Sequence, residues 1–338
     1  MGLMIDVADT CLSDEDKAIL ANPNVVGLIL FAKNLQDPAQ VRSLSDSVRV
    51  INPNIVIGID QEGGRVARLR DGFTKLPAMG AIGKVYDTDP AFAKRLGQAV
   101  GYVLACEVLA VGVDMSFAPV LDIDNGSLVI GDRAFHRLPN VCIALSDAVI
   151  DGMTKAGMAT TGKHFPGHGT AVNDSHINDA CDNRSFDEIW ASDLSVFVAN
   201  LSQLSALMPA HVVFSQIDDK PAGFSRVWLQ DIIRHKLGFD GVLFSDDLSM
   251  KAAQIAGDMP KRVQLALTAG CDVALICNDR QGVIQTLACM DTIPQTGRLA
   301  IVKANLPSWQ GSLLATCEQG FGDYTAMRQI VTAFMSNG

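Results

Sequence analysis

The stretch richest in groups that can do chemistry runs from Lys163 to His176 and reads KHFPGHGTAVNDSH. It holds three of the six histidines of the chain, with one lysine and one aspartate, within fourteen positions. Ala159 to His164 is predicted to be the end of a buried strand, and Pro166, Gly167 and Gly169 predict that a loop follows it. Polar side chains at the end of a strand, followed by a loop, are typical of the catalytic face of α/β enzymes.

Histidine, lysine and aspartate together can bind hydroxyl groups, supply a nucleophile and transfer protons near neutral pH. Taken singly, each residue has a plainer interpretation. His164 alone would more often be a hydrogen-bonded core residue, Lys163 a surface charge, and Asp246 the N-cap of the next helix. What favours a catalytic site is that many such residues recur at equivalent positions along the chain.

The elements that must position these groups alternate between apolar runs and helical patterns. The predicted strands are Gly2 to Val7, Val25 to Phe31, Ile55 to Asp60, Val113 to Phe117, Ala159 to His164, Ala206 to Ala210, Gly241 to Ser245 and Asp272 to Cys277. The predicted helices are one capped by Ser13 and Asp16, one beginning at Pro38, Asp89 to Val111, Asn140 to Ala156, Phe186 to Leu201, Ser225 to Lys236, Asp258 to Ala269 and Arg280 to Met290.

Eight strands alternating with helices predict an α/β protein whose parallel strands close into one (β/α)8 barrel. The expected domain is a single catalytic unit over residues 1–338, with a helical extension from about residue 295. A doubly wound open sheet is the alternative, because strand number alone does not exclude it. No G-x-G-x-x-G motif follows a predicted strand, so the dinucleotide-binding version of that fold is not favoured.

In a barrel of this kind the carboxyl ends of all strands meet on one face. Polar residues follow five of the predicted strands at that end, and they are Asp60, Asp122, Asp124, Asp132, Arg133, Lys163, His164, His211, Asp246 and Asp247. Scattered surface charge would not favour that end so consistently. The sequence therefore predicts one polar site built from several strands.

Composition narrows the class of protein. The net charge of −10 and the absence of basic clusters argue against a nucleic-acid-binding protein. The sequence contains no run of eighteen or more apolar residues, so no membrane-spanning helix is expected. The N-terminus has no basic segment typical of a secretory signal. The eight cysteines are scattered without a C-x-x-C pair, which favours a reducing compartment. We therefore expect a cytoplasmic protein without membrane partners, and a monomer.

Five motifs give the chain a resemblance to family 3 glycoside hydrolases. They are DQEGGRVARL from Asp60, GDRAFH from Gly131, KHFPGHG from Lys163, DSH from Asp174 and FSDDLSM from Phe244. In particular, the chain resembles the short, single-domain, cytoplasmic β-N-acetylglucosaminidases of bacterial cell-wall recycling. The resemblance spans about Asp60 to Met250, and the KHFPGHG and DSH motifs are its most specific part.

The resemblance implies a role for each motif. Asp246 would be the nucleophile, and His176, paired with Asp174, would be the general acid and base. The residues implied to bind N-acetylglucosamine are Asp60, Arg68, Arg133, Lys163 and His164. Because neighbours along a strand point to opposite faces, only one of Asp246 and Asp247 should reach the sugar. Ala180 stands where the family often has proline, four residues after the loop histidine.

The reaction implied by the resemblance is retaining hydrolysis of terminal β-1,4-linked N-acetylglucosamine. The substrate would be a peptidoglycan fragment in which this sugar is joined to 1,6-anhydro-N-acetylmuramic acid, with or without a peptide. No cofactor and no metal are expected. Three alternatives stay open at this stage: a phosphorylase acting on the same glycosides, a metal-dependent barrel hydrolase, and a carbohydrate-binding protein without activity.

Overall fold

The computed structural model describes residues 1–169, 181–291 and 297–337. Three positions singled out in the sequence, Asp174, His176 and Ala180, lie outside the described residues.

All eight predicted strands are present, and each is shorter than predicted. They are β1 (Gly2–Ile5), β2 (Val25–Leu30), β3 (Val56–Ile59), β6 (Met115–Ser116), β7 (Thr161–Phe165), β9 (Ala206–Pro209), β11 (Val242–Leu243) and β12 (Val273–Ile276). Four further short strands were not predicted, and they are β4 (Gln61–Gly63), β5 (Val66–Ala67), β8 (Cys181–Asp182) and β10 (Val213–Phe214). The eight predicted strands are buried along their whole length, which explains why most of them are apolar runs. Strand β7 is the exception, since it includes the buried polar residues Thr161, Lys163 and His164.

The strands pair almost entirely in parallel. One sheet has the order β12–β1–β2–β3–β6, and a second has the order β11–β9–β7. Isolated parallel bridges join Met115 to Ala159, Val120 to Lys163, and Phe244 to Val273, so each end of the second sheet touches the first. Only the hairpin β4–β5 is an antiparallel ladder among the named strands. The predicted α/β class with parallel strands is confirmed.

The helices follow the strands as the periodicity predicted. They are α1 (Asp14–Leu20), α2 (Pro38–Ile51), α3 (Met79–Tyr86), α4 (Pro90–Ala110), α5 (Pro139–Lys155), α6 (Phe186–Ala191), α7 (Asp193–Asn200), a π-helix (Val227–Lys236), α8 (Met259–Ala269), α9 (Arg280–Cys289), α10 (Leu313–Gly320) and α11 (Tyr324–Asn337). Short 3-10 helices cover Ala32–Asn34, Gly131–Arg133, Leu201–Gln203, Ala222–Phe224, Lys251–Ala256 and Gly297–Val302.

Local signals account for several helix boundaries. The predicted capping box of α1 is present, because Ser13 accepts from the Asp16 amide and the Asp16 side chain accepts from the Ser13 amide. The single helix predicted from Phe186 to Leu201 is wrong: it is divided at Ser192, whose φ of −115° and ψ of −98° are not helical. Helix α3 was missed because two glycines weaken its apolar pattern.

The apolar core consists of two clusters, which lie on opposite faces of the strands. In the larger cluster, strand residues such as Leu3 and Ile57 pack against the helices. In the smaller cluster, alternate strand residues from both sheets pack on one another, among them Met4, Met115 and Phe244. The alternation follows from the two-residue period of a strand. The smaller cluster is the support on which the site described below is built.

The C-terminal segment contributes to the same core. Helix α11 packs against α4, and Tyr324 and Val331 of α11 are buried in the larger cluster. All eight cysteines are free thiols. Within the described ranges, no helix has the length and apolarity needed to cross a membrane.

Candidate active site

A polar cavity of about 260 Å³ lies at the carboxyl ends of the parallel strands. Its floor is apolar and comes from the smaller core cluster, through Ile29, Phe117, Met208 and Leu275. Its polar lining comprises Asp60, Glu62, Arg68, Arg133, Lys163, His164, His168, Asp246 and Asp247. A larger open cavity of about 630 Å³ lies beside α8 and α9 and includes Met1, so size alone does not identify the site.

The structure brings six of the eight predicted site residues together in this cavity. Asp60 directly follows β3, Lys163 and His164 belong to β7, and Asp246 comes three residues after β11. Arg133 ends the 3-10 helix Gly131–Arg133, and Arg68 follows the hairpin β4–β5. Strand ends and short connections therefore hold all six. The other two, Asp174 and His176, lie outside the described residues.

Lys163 is the buried cation at the centre of the polar lining. It is 2% exposed, and its Nζ lies 2.9 Å from Asp60 Oδ1 and 2.6 Å from Glu62 Oε1. Burial alone would lower the pKa of this lysine, but the charges of Asp60 and Glu62 outweigh burial and raise it. The interpretation of Lys163 as a surface charge is therefore wrong.

Glu62 is a functional candidate that the sequence analysis missed. Its two carboxylate oxygens accept from Nε and Nη2 of Arg133, each at 2.8 Å, in a bidentate pair. Burial would raise the pKa of Glu62, but Lys163 and Arg133 lower it to about 2. A signal was present: Glu62 stands two positions after Asp60 in the motif DQEGG, and both residues reach Lys163.

Arg68 lies at the edge of the cluster. Its Nη2 is 3.6 Å from Asp60 Oδ2, and its guanidinium carbon is 5.9 Å from the centre of the Phe31 ring. Its Nε is buried and has no hydrogen-bond partner among the described residues. A buried donor of this kind is available to a ligand.

His164 is held by Asp122, a second residue to which the sequence analysis assigned no role. The ring Nδ1 of His164 is 2.7 Å from Asp122 Oδ2, and the amide of His168 donates to Asp122 Oδ1 at 2.7 Å. Burial opposes ionisation of Asp122, but His164 and His168 outweigh it and lower the pKa of the aspartate. This contact fixes the ring so that its other nitrogen can serve the cavity.

The backbone at the end of the motif KHFPGHG is tightly packed against neighbouring residues. A Cβ atom on Gly169 would lie 1.7 Å from the carbonyl oxygen of Ile123. Gly167 has a φ of +146°, and a Cβ atom there would lie 2.5 Å from Cβ of Asp193. Both positions therefore require glycine. The glycines of this motif serve close packing at the start of the segment that contains Asp174 and His176.

Asp246 and Asp247 both line the cavity, although strand alternation predicted that they would diverge. They lie beyond the end of β11, so the alternation rule does not apply to them. Hydrogen bonding separates them instead. Asp247 accepts from the Ser249 amide and hydroxyl and from the Cys277 amide, and burial raises its pKa. Within the described parts of the chain, Asp246 accepts only from the Asp247 amide, at 2.8 Å.

The charge state of Asp246 suits a nucleophile. Burial would raise its pKa, but the fields of His164 and His211 outweigh burial and lower it. Asp246 is therefore ionised near neutral pH, and among the described residues only the Asp247 amide donates to it. Among the described residues, no group of three or more histidine, cysteine, aspartate or glutamate side chains could hold a metal ion.

Comparison with known proteins agrees with this arrangement. The model of the glycosyl hydrolase family 3 N-terminal domain matches residues 3–300. A β-hexosaminidase of Pseudomonas aeruginosa is 52% identical over 295 residues, which are 87% of each chain. A β-hexosaminidase of Thiobacillus denitrificans is 50% identical over 304 residues, covering 88% of this chain and 85% of the other. The chain therefore belongs to glycosyl hydrolase family 3.

Solved structures extend the likeness to the fold. NagZ from Neisseria gonorrhoeae, in complex with N-trifluoroacetyl-D-glucosamine, has a TM-score of 0.90 and 40% sequence identity. The match covers 98% of this chain and 96% of the other. The expectation of a glycoside hydrolase of the β-N-acetylhexosaminidase class is thereby confirmed.

Proposed function

We propose that this protein is a retaining exo-β-N-acetylglucosaminidase that releases terminal β-linked N-acetylglucosamine. The observation that carries the proposal is the position of Asp246, a carboxylate with a lowered pKa that faces the cavity shared by Lys163, Arg133 and Arg68. Such a cavity needs no cofactor to bind and cleave a glycoside. The gonococcal relative, which was solved with a glucosamine derivative, supports the choice of sugar.

The first chemical step forms a bond between Asp246 and the sugar. The carboxylate attacks the anomeric carbon, and the glycosidic bond breaks as its electrons move to the leaving oxygen. His176 would donate a proton to that oxygen, with Asp174 orienting the ring and favouring its protonated form. Both residues carry these roles by family resemblance, through the DSH motif.

The second step returns the enzyme to its starting state. His176, now unprotonated, would remove a proton from water, and the oxygen of that water attacks the anomeric carbon. The bond to Asp246 breaks, and its electrons return to the carboxylate. Two displacements restore the β configuration, so the enzyme is a retaining one.

The remaining polar groups bind the sugar that is released. Asp60, Lys163 and His164 offer both acceptors and donors to hydroxyl groups, and Arg68 and Arg133 add donors. The cavity of about 260 Å³ lies just below the range of roughly 300–1,000 Å³ for small-molecule sites, which suits one sugar residue. This supports cleavage from the end of a chain.

The biological substrate we propose is a peptidoglycan fragment from cell-wall recycling. It would carry N-acetylglucosamine on 1,6-anhydro-N-acetylmuramic acid, with or without a peptide. The location proposed is the cytoplasm, and the state proposed is a monomer.

We also propose that the two parallel sheets form one closed (β/α)8 barrel in a single domain, with residues from about 295 as a helical extension. The three isolated bridges at both ends of the second sheet support closure. The smaller core cluster supports it as well, because it joins inward residues from both sheets. The larger cluster runs from Leu3 to Val331, which supports one domain.

The test is to trap the intermediate. A 5-fluoro derivative of an activated β-N-acetylglucosaminide should inactivate the enzyme and leave one sugar on the peptide that contains Asp246. Asp246→Ala should abolish turnover of an aryl β-N-acetylglucosaminide while its circular dichroism stays that of the wild type. Asp247→Asn is the matched control and should keep measurable turnover. A label on another residue would contradict the role of Asp246, and release of a sugar phosphate in phosphate buffer would make the enzyme a phosphorylase.

A further inference from the structure

Helix α11 reaches the loop that carries Arg68 through a buried hydrogen-bonded cluster. We call this cluster the Thr74 clamp, and it consists of Thr74, Glu107, Tyr324 and Arg328. The Glu107 carboxyl accepts from the Thr74 amide at 2.9 Å, the Thr74 hydroxyl at 2.5 Å and the Tyr324 hydroxyl at 2.7 Å. Arg328 Nε donates to the Thr74 hydroxyl at 2.9 Å.

The clamp is one of three anchors on the same loop. Gln61 Oε1 accepts from the amides of Arg68 and Leu69, at 2.8 and 3.0 Å. The Gly64 amide donates to the carbonyl of Leu76 at 3.1 Å. The backbone from Arg68 to Leu76 is therefore fixed at its start by Gln61, at its end by Gly64, and at Thr74 by the clamp.

The side chain of Arg68 depends on this backbone for its position. Its ion pair with Asp60, at 3.6 Å, is longer than a hydrogen bond, and its Nε has no partner among the described residues. Lys163 and Arg133, in contrast, are held by contacts of 2.6 to 2.9 Å between their head groups and carboxylates. A head group without close partners is aimed mainly by the main chain that carries it.

We propose that Tyr324 and Arg328 are positioning residues that act through Thr74 and set the affinity of the Arg68 subsite for the sugar. Neither residue is among those that line the cavity, so neither contacts the substrate. This inference rests on the proposed function, since it assigns Arg68 to sugar binding. It makes the C-terminal helix part of substrate recognition.

A purely structural role would give a different kinetic result. Loss of folding stability lowers the amount of active enzyme and the unfolding temperature, but it leaves KM unchanged below that temperature. Misplacement of Arg68 instead weakens binding, so KM rises while the chemical step at Asp246 is kept.

The kinetic test uses the double variant Tyr324→Phe/Arg328→Met in the full-length chain. The matched control is Ser336→Ala on the same helix. Among the described residues, the Ser336 hydroxyl donates to the carbonyl of Thr332 within α11. With an aryl β-N-acetylglucosaminide, KM should rise about threefold to tenfold in the double variant, the effect of one or two hydrogen bonds, with kcat within about twofold. The control should match the wild type.

Two further measurements link the effect to Arg68. In an Arg68→Ala background the same double substitution should add no further rise in KM, because coupled residues are not additive. The single variant Arg328→Lys keeps a donor for Thr74 and should recover part of the lost affinity. An equal rise in KM with and without Arg68 would overturn the proposal.

Hydrogen exchange tests the clamp independently of catalysis. In the double variant, amides from Arg68 to Leu76 should exchange faster, whereas those of β7 and β11 should not change. Unchanged exchange in this loop would refute the clamp as a positioning device, even in an active enzyme. Faster exchange in a protein that never cleaves N-acetylglucosaminides would refute the proposed function and keep the clamp.

Discussion

Two buried glutamates show how differently this fold treats the same side chain. Glu62, at the cavity, and Glu107, inside the Thr74 clamp, are each 4% exposed. Burial disfavours ionisation at both positions. At Glu62 the cations Lys163 and Arg133 reverse this effect and lower its pKa to about 2, whereas burial leaves the pKa of Glu107 raised.

The two pKa values differ because the nearest arginine donates to the carboxylate itself at Glu62 but to a neighbouring hydroxyl at Glu107. Arg133 forms two hydrogen bonds to the oxygens of Glu62, and Lys163 adds a third contact. In the clamp, Arg328 donates to the Thr74 hydroxyl, so Glu107 receives bonds from uncharged donors only among the described residues. At Glu107 the neutral hydrogen bonds satisfy the buried carboxyl without reversing the effect of burial on its pKa, whereas at Glu62 the two cations in direct contact do reverse it.

The two glutamates therefore serve different purposes: Glu62 belongs to a site of fixed charges, and Glu107 belongs to a hydrogen-bonded cluster that holds a loop. A cavity that must bind a polar sugar benefits from fixed charges, because they need no rearrangement when the ligand arrives. A clamp that must hold a loop needs bonds of defined geometry, and these do not require Glu107 to be ionised. The same substitution, glutamate to glutamine, should therefore have opposite consequences at the two positions.

The largest effect is expected for Glu62→Gln. The glutamine side chain keeps the shape of glutamate, but an NH2 group replaces one of the two acceptor oxygens. That group is a donor, and it would face Arg133 or Lys163, which are donors themselves. Lys163 and Arg133 would lose the anion that holds them in place, and because a misplacement of about 1 Å can cost about 10²-fold in rate, kcat/KM should fall about 10²- to 10³-fold. Steady-state kinetics on an aryl β-N-acetylglucosaminide measure this fall, with circular dichroism to show that the fold is retained.

Glu107→Gln serves as the matched control for that experiment, because the same atom is changed in another buried glutamate. It should alter kcat/KM by less than about threefold. If Glu62→Gln had as small an effect as its control, the cluster around Lys163 would not be the frame of the sugar site.

The next largest effect is expected on folding stability at acid pH, where Glu62 should contribute to the loss of stability. The pKa of Glu62 is lowered from 4.5 to about 2, so its contribution is present above about pH 4.5 and is lost as pH falls toward about 2. At about 1.4 kcal/mol for each pKa unit, the contribution is about 3 kcal/mol. Urea unfolding between pH 6 and pH 3 should show a smaller loss of stability in Glu62→Gln than in the wild type. Parallel curves for the two proteins would mean that Glu62 does not ionise at unusually low pH.

The strands and most of the helices could be predicted from the sequence, whereas the segments that connect them were predicted less well. All eight strands were found, most of them because they are buried apolar runs, and β7 because a loop with proline and glycines follows it. Asp60, Lys163, His164 and Asp246 were placed at one site because they stand at strand ends. Arg133, at the end of a 3-10 helix, was placed at the same site from its position after the fourth predicted strand. Arg68, which follows the hairpin β4–β5, was identified by the family resemblance alone.

The residues that were missed act through partners far along the chain. The motif DQEGG places Glu62 near Asp60, but it does not indicate the bidentate pair that Glu62 forms with Arg133, seventy-one positions later. Glu107 is joined to Tyr324 across 217 positions, and no local pattern in the sequence indicates this contact. Hydrogen bonds of this kind follow from tertiary packing, which periodicity does not predict.

A smaller effect is expected for Glu107→Ala, which breaks the clamp without removing a charge from the cavity. The Thr74 amide and the Tyr324 hydroxyl would lose their acceptor in a buried region, at a cost of about 1–3 kcal/mol. Urea unfolding at pH 6 should show this loss, and KM should rise in the same direction as in the Tyr324→Phe/Arg328→Met variant. A loss of stability with an unchanged KM would mean that the clamp holds α11 alone and not Arg68.

The smallest effect, and the sharpest test of the contrast, is expected for Glu107→Gln as a function of pH. Glutamine resembles the protonated acid, so at about pH 5 the variant should be within about 1 kcal/mol of the wild type. Because the pKa of Glu107 is raised, its contribution is present below the unfolded pKa of about 4.5 and is lost as pH rises through the folded pKa. The wild type should therefore lose stability relative to Glu107→Gln between pH 5 and pH 8, which is opposite in sign to the result for Glu62→Gln. Urea midpoints measured for both proteins at the same pH values give this difference directly. If the wild type instead gained stability over the variant as pH rose, Glu107 would be an anion in the folded protein, and the clamp would be a second charged site like the one around Glu62.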